Sequence, residues 1–196
     1  MKLAPEWHDR LRHWTATLEK DFYRPLGEIS FEGFCTYDHI TPQEALEHSG
    51  YAPVPAGTVW GHQWEYMWLK GEITLPPEAE GQMIVLNLNP GGETTLFVNG
   101  ASFGTYRAGW VSVPHHFIED NILTENGKPG ETYLLQAEAY AGHFYPESTV
   151  AGCSTGPVIP GTYTDPLEGK LRATMGENTF GIWNEEAYQL WMDVVT

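Results

Sequence analysis

The sequence predicts a mainly β protein: an antiparallel β-sandwich or jelly roll with short helices at both ends. Three observations carry this expectation. Gly and Pro number 21 and 14 among 196 residues, a share that breaks helices but serves the turns of a sheet protein. Through the middle of the chain apolar residues recur with period two, the pattern of strands with one buried face. About eight such runs are separated by turn signals roughly every 8–12 residues, with no alternating helices to build a parallel sheet.

Each element has its own signal. From Pro5 to Lys20, Trp7, Leu11, Trp14 and Leu18 recur at helical spacing, and Pro5 stands where a first turn accepts it. Strands are predicted at Glu28 to Phe34 and, after a short helix, along Trp64, Tyr66 and Trp68. That helix starts at the capping box Thr41-Pro42-Gln43-Glu44, with Gly50 as its stop. The alternation resumes after Gly71 through Ile73 and Leu75, as a bulged strand would. Gly81 to Asn89 alternates through Ile84, Leu86 and Leu88. Asn99-Gly100 between two β-prone runs, Thr94 to Val98 and Ala101 to Tyr106, is the strongest short-range hairpin signal. Further strands are predicted at Trp110 to Val113, Thr132 to Ala141 and Lys170 to Met175, and a long loop at Pro146 to Pro166.

The last residues return to helical spacing. Asn184 caps Glu185 and Glu186, which face the positive end of the helix dipole, and Ala187, Leu190, Trp191 and Val194 follow on one face. No Gly, Pro or basic last turn closes this helix, and Trp191, Val194 and Val195 form a stripe with little in the sequence to cover it. The expectation is a chain cut from a longer protein, in three parts: a helical arm over residues 1–26, a sandwich over 27–182, and from 183 to 196 the start of a linker helix toward a missing catalytic domain.

Composition narrows the function. Ten Lys plus Arg against 26 Asp plus Glu give a net charge of −16, which repels nucleic-acid phosphates and anionic membranes alike. The sequence shows no apolar run of about 18 residues and no apolar core in the first residues, so a cytoplasmic place is expected. Cys35 and Cys153 form no redox or ligand motif and are expected to be reduced and packed.

No catalytic centre stands out. The nucleophile elbow and the phosphate-cradling glycine patterns are absent. His115 and His116 are adjacent, so on a strand they point to opposite faces, which suits one metal poorly. Aromatic residues do stand out: 8 Trp, 10 Tyr and 8 Phe. Flat rings can stack on the C–H faces of sugars while polar neighbours fix the hydroxyls, but Trp64, Tyr66, Trp68, Phe97 and Phe103 are expected to fill the sandwich. The candidates for sugar contact are the residues of turns and strand ends: Trp60, Tyr106, Arg107, Trp110, His143, Tyr145 and Glu147.

Several segments in order carry a resemblance. Gly57-Thr-Val-Trp60-Gly61, then Trp64-x-x-x-Trp68-Leu-Lys-Gly-Glu-Ile-Thr-Leu-Pro76, then Thr95-Leu-Phe-Val-Asn99-Gly100 with Gly104 resemble the galactose-binding-like jelly roll at the front of glycoside hydrolases. The match is best with the N-terminal region of family 38, the class II α-mannosidases of cytosolic and vacuolar type. Leu134-Leu-Gln-Ala-Glu138-Ala-Tyr-Ala-Gly-His143 is similar to that family's last long strand, and Trp183 to Asp193 to its junction with the catalytic domain. The family's His-x-Asp-x-x-Trp zinc motif does not occur here, and residues 139–161 depart from the loop pattern of eukaryotic members.

The resemblance implies a non-catalytic N-terminal accessory domain of an α-mannosidase. It would need no cofactor of its own, while a divalent, zinc-type metal would serve the missing catalytic domain. Its partners would be that domain, a mannoside substrate and further subunits of a homo-oligomer. Two other readings stay open: an independent carbohydrate-binding module using the loop aromatics, and a structural domain whose Trp- and Tyr-rich surface joins subunits.

Overall fold

The computed structural model describes residues 5–62, 64–107, 121–142, 171 and 173–195. Among these the fold is antiparallel β throughout. Twelve strands run in chain order: β1 (Tyr23–Glu28), β2 (Glu32–Thr36), β3 (Ala52–Pro53), β4 (Val59–Trp60), β5 (Tyr66–Thr74), β6 (Ile84–Asn87), β7 (Glu93–Val98), β8 (Ala101–Arg107), β9 (Ile122–Thr124), β10 (Thr132–Tyr140), β11 (Ala173–Thr174) and β12 (Thr179–Trp183). Three helices accompany them: α1 (Pro5–Leu18), α2 (Pro42–Glu47) and α3 (Glu185–Val195).

The strands form a four-stranded sheet in the order β1-β12-β6-β9, a six-stranded sheet in the order β3-β2-β5-β10-β7-β8, and a small β11-β4 pair. The two large sheets face each other across one core. Ile84, Leu86, Phe180 and Ile182 come from the smaller sheet, and Met67, Leu69, Ile73, Leu96, Leu135 and Ala137 from the larger. Burying each of the larger of these side chains contributes about 1.5–3 kcal/mol, which offsets the ordering of the long strands.

The outer face of the four-stranded sheet is also covered. Phe22, Val85, Trp183 and Tyr188 form a second buried cluster, against which Leu18 of α1 and Trp191 and Met192 of α3 pack. Asn184 caps α3 as expected, its Oδ1 accepting from the Ala187 amide at 3.1 Å. The stripe that the sequence leaves uncovered is thus partly covered within this fold. Trp191 lies edge-on to Phe22 at 5.9 Å and donates its indole N–H to Glu19 Oε1 at 3.0 Å. Leu190 and Val195 remain exposed, as do Trp7 and Trp14 of α1, whose helical spacing therefore does not mark a buried face.

Local expectations fare unevenly. The capping box is complete: the Glu44 amide donates to Thr41 Oγ1 at 3.2 Å and the Thr41 amide donates to Glu44 Oε2 at 2.7 Å. Gly50 is not the stop. The helix ends at Glu47 because His48 turns extended, and the Gly50 amide donates to His48 Nδ1 at 3.0 Å. The hairpin is correct, with Asn99 and Gly100 at φ 50° and 79°, the left-handed pair that a tight turn between twisted strands requires.

The strand predicted over Glu28 to Phe34 divides into β1 and β2, which lie in different sheets. Between them Ile29 and Phe31 enter the core as the chain crosses over. The bulge predicted after Gly71 is absent, since β5 pairs with β10 without a break from Tyr66 to Thr74. Gly71 is needed for space: a Cβ there would lie 2.9 Å from the Ser30 carbonyl and 3.0 Å from the Phe31 ring. Cys35 is free and exposed instead of packed, with its thiol pushed up to about 11, first by the burial it does suffer and then by Glu65. The Trp110 to Val113 strand, the Pro146 to Pro166 loop, the His115-His116 pair and Cys153 lie outside the described residues.

The most instructive correction concerns phase. Alternation in β5 is real, but Met67, Leu69 and Ile73 face the core, so Tyr66 and Trp68 face outward. Trp68 joins Phe34 and Ala45 in a third cluster beneath α2, with Phe97 stacked on it at 6.3 Å. Of the five aromatics expected to fill the sandwich, Phe103 is the one that packs against the main core.

Candidate functional site

The outer face of the six-stranded sheet is built in cross-strand rows, because directly opposed residues share a face. One row runs Lys70, Gln136, Phe97, and the next Trp68, Glu138, Thr95, Thr105. A further row runs Tyr66, Tyr140, Glu93. Helix α2 roofs the first of these: Gln136 Nε2 donates to the Pro42 carbonyl at 2.7 Å, and Ala45 and Ile40 pack over Trp68. Beyond the roof the described residues line a cleft of about 400 Å3 on the Glu138 and Tyr140 rows.

The cleft combines rings and carboxylates. Tyr66 and Tyr140 stack with centroids 5.0 Å apart and planes at 28°. His39 meets Tyr66 edge-on at 5.0 Å, and the Trp64 ring is tilted against Tyr140 at 6.4 Å. Trp64 occupies the left-handed region at φ 68°, unusual for a bulky side chain and costing of order 1–3 kcal/mol. Two backbone bonds hold that turn: the Trp64 amide donates to the Gly142 carbonyl and the Ala141 amide to the Glu65 carbonyl, each at 3.0 Å.

Glu138, Thr95 and Thr105 supply polar groups along the cleft, with Glu93 at its edge. Burial raises the Glu138 carboxyl above the usual range, and the charge of His39 pulls it partly back. Burial likewise raises the Tyr66 hydroxyl, with Glu138 adding to the shift. Chemically the cleft sets a stacked tyrosine pair beside carboxylates and hydroxyls. Among the described residues no group of three or more His, Cys, Asp or Glu could hold a metal ion.

The candidates read from the sequence fall in different places. Trp60 is buried in the main core at 3% exposure, and its indole N–H donates to the Pro90 carbonyl at 2.8 Å, so its ring offers no face to a ligand. The backbones of Tyr106 and Arg107 lie in β8 opposite Thr94 and Glu93, and nothing beyond that pairing ties either residue to the cleft. Trp110, His143, Tyr145 and Glu147 lie outside the described residues. Sequence reasoning missed Tyr66, Glu138 and Tyr140. Glu138-Ala139-Tyr140 alternates polar and aromatic residues on one side of Ala, but only pairing with β5 and β7 shows that this side meets Tyr66 and Thr95.

Residues 28–145, which include all the cleft strands, match the family model described as alpha-mannosidase, jelly roll domain. The chain belongs to the α-mannosidase jelly-roll domain family. The resemblance read from the sequence is thereby shown, as is the jelly-roll architecture. Solved structures similar to this jelly-roll domain include the β-glucuronidase of Ruminococcus gnavus in complex with D-glucuronic acid, at 16% identity and a TM-score of 0.44, covering 82% of this chain and 29% of that one. The same enzyme in complex with uronic deoxynojirimycin matches at 17% identity and a TM-score of 0.44, covering 84% of this chain and 29% of that one. The jelly-roll domain therefore spans under a third of the length of these enzymes. No curated protein matches it.

Proposed function

We propose that this jelly-roll domain is the non-catalytic accessory region of an α-mannosidase that acts in carbohydrate metabolism. The family match over residues 28–145 is the observation that carries the reading. In this reading a separate catalytic domain, holding a divalent zinc-type metal, performs the glycoside hydrolysis on a mannoside. The sandwich braces that domain, shapes the rim of its active site and contributes contacts between subunits. Its described helices include none long and apolar enough to cross a membrane, and a cytoplasmic place is part of the same proposal.

Turnover of a nitrophenyl α-mannoside tests it. The 196-residue chain is expected to show none, and the longer polypeptide that the reading requires is expected to hydrolyse it in a metal-dependent way. A longer polypeptide with no glycosidase activity would overturn the proposal, as would turnover by the short chain alone.

A further inference from the structure

We infer that residues 37–51, with α2 at their centre, form a lid that lifts from the six-stranded sheet while the sandwich stays folded. Lifting it extends the cleft to Trp68 and Gln136, independently of any role the sandwich has beside a catalytic domain.

The closed lid strands three polar atoms. Tyr51 Oη, Trp68 Nε1 and Gln136 Oε1 are buried without a hydrogen-bond partner among the described residues. All three lie in one place. Trp68 and Gln136 stand on adjacent cross-strand rows of the outer face, and Tyr51 packs against the same cluster beneath α2. An indole donor, an amide acceptor and a hydroxyl shut away from water each penalise the closed state, and water meets each of them once the lid lifts. Apolar burial opposes the lift, since Trp68 is 1% exposed, Ala45 0% and Phe34 8%. The lid therefore rests closed, but over a smaller free-energy gap than an equally buried element whose polar groups are all paired.

The segment holds its own shape. Thr41 and Glu44 exchange the bonds of the capping box, and the Gly50 amide donates to His48 Nδ1. Its contacts with the sheet are of a kind that part without unpairing a ladder: Gln136 Nε2 donates to the Pro42 carbonyl, His48 stacks on Phe34 at 3.8 Å, and Lys70 lies over the Tyr51 ring at 4.2 Å. Strand β3, which follows the lid, is two residues long and stands at the sheet's edge, so little pairing anchors that end. Trp68 is directly opposite Glu138, and Glu138 lines the cleft. Lifting α2 thus joins the neighbouring row to the cleft and frees an indole N–H and an amide oxygen for hydrogen bonding.

Hydrogen exchange of the 196-residue chain, read by NMR at the Trp68 indole N–H alongside the backbone amides, is the test. Trp68→Phe identifies the indole signal. The indole is expected to exchange through an opening about a hundredfold more frequent than the one that frees Leu135 and Ala137 in β10. Its exchange is also expected to depend less on urea, because lifting the lid exposes less surface than unfolding the sandwich. Tyr51→Phe keeps the ring and removes one stranded hydroxyl, so it is expected to slow indole exchange about tenfold without lowering Tm. The inference is overturned if the indole shows the opening frequency and urea dependence of β10, or if Tyr51→Phe leaves its exchange unchanged or speeds it. None of these outcomes bears on mannosidase turnover by the longer polypeptide, so failure of the lid and failure of the accessory reading remain separable.

Discussion

Glu138 shows at single-residue scale how burying a carboxylate costs stability. Its carboxyl is raised above the usual range by burial, with His39 offsetting part of the effect. A raised folded value means that folding favours the protonated form. The contribution to stability is thus fully present at pH below the usual carboxylate range and is lost as pH rises through the raised value. At pH 7 the ionised side chain is a net cost, which a neutral isostere removes. Glu138→Gln is expected to raise Tm at pH 7 by about 1–2 °C, a small gain because the group keeps contact with water, and the gain is expected to vanish near pH 4. A lower Tm at pH 7 would show the carboxylate to be a stabilising partner instead. Gly92 is a second residue on which the cleft depends. A Cβ there would run into the Tyr140 carbonyl, where β7 comes against β10. Backbone cannot rotate away as a side chain can, so Gly92→Ala is expected to lower Tm, whereas an unchanged Tm would refute the close approach.

Single elements show which features are written locally. The box at the start of α2 needs only residues three apart, and the Asn99-Gly100 turn only two, so both are legible in the sequence. Thr41→Ala is expected to lower Tm by about 2–4 °C. Because bonds from Thr41 hold the Glu44 carboxyl below its usual range, the same change should return Glu44 toward that range in an NMR titration. What depends on distant partners is not legible. Alternation in β5 fixes two faces but not which one is buried, and the answer lies in β10, whose paired residues come 58 to 74 positions later in the chain. The cleft inherits that blindness, since β5, β10, β7 and β8 each supply part of it. Trp60 is the converse case: a turn-flanking aromatic that resembles a ligand contact in sequence, yet binds the Pro90 carbonyl inside the core. The fit of α3 is also non-local. Phe22 meets Trp183, Tyr188 and Trp191 at 5.6–5.9 Å and is itself 3% exposed. Phe22→Ala is expected to cost about 3–5 kcal/mol and to speed amide exchange throughout α3 more than in β10. Uniform acceleration would mean that α3 does not depend on this cluster.

The whole molecule sets packing against charge. Two sheets and their helix coverings bury three clusters, and the same chain carries a net charge of −16. Attractive pairs do little to relieve it. The ion pairs Arg12 with Asp9 at 2.6 Å and Lys70 with Glu32 at 3.5 Å are both substantially exposed. Exposed pairs contribute about 0–1 kcal/mol each, whereas the excess carboxylates repel one another over the whole surface. At about 10 mM salt the screening length is about 30 Å, comparable to the domain, and at about 150 mM it shrinks to about 8 Å. Screening therefore weakens many long-range repulsions and few short attractions. Tm is expected to rise as sodium chloride increases across that range at pH 7, and to rise less at pH 5, where part of the carboxylate charge is neutralised. A Tm that falls with salt would mean that specific ion pairs, and not net repulsion, dominate the electrostatics of the fold.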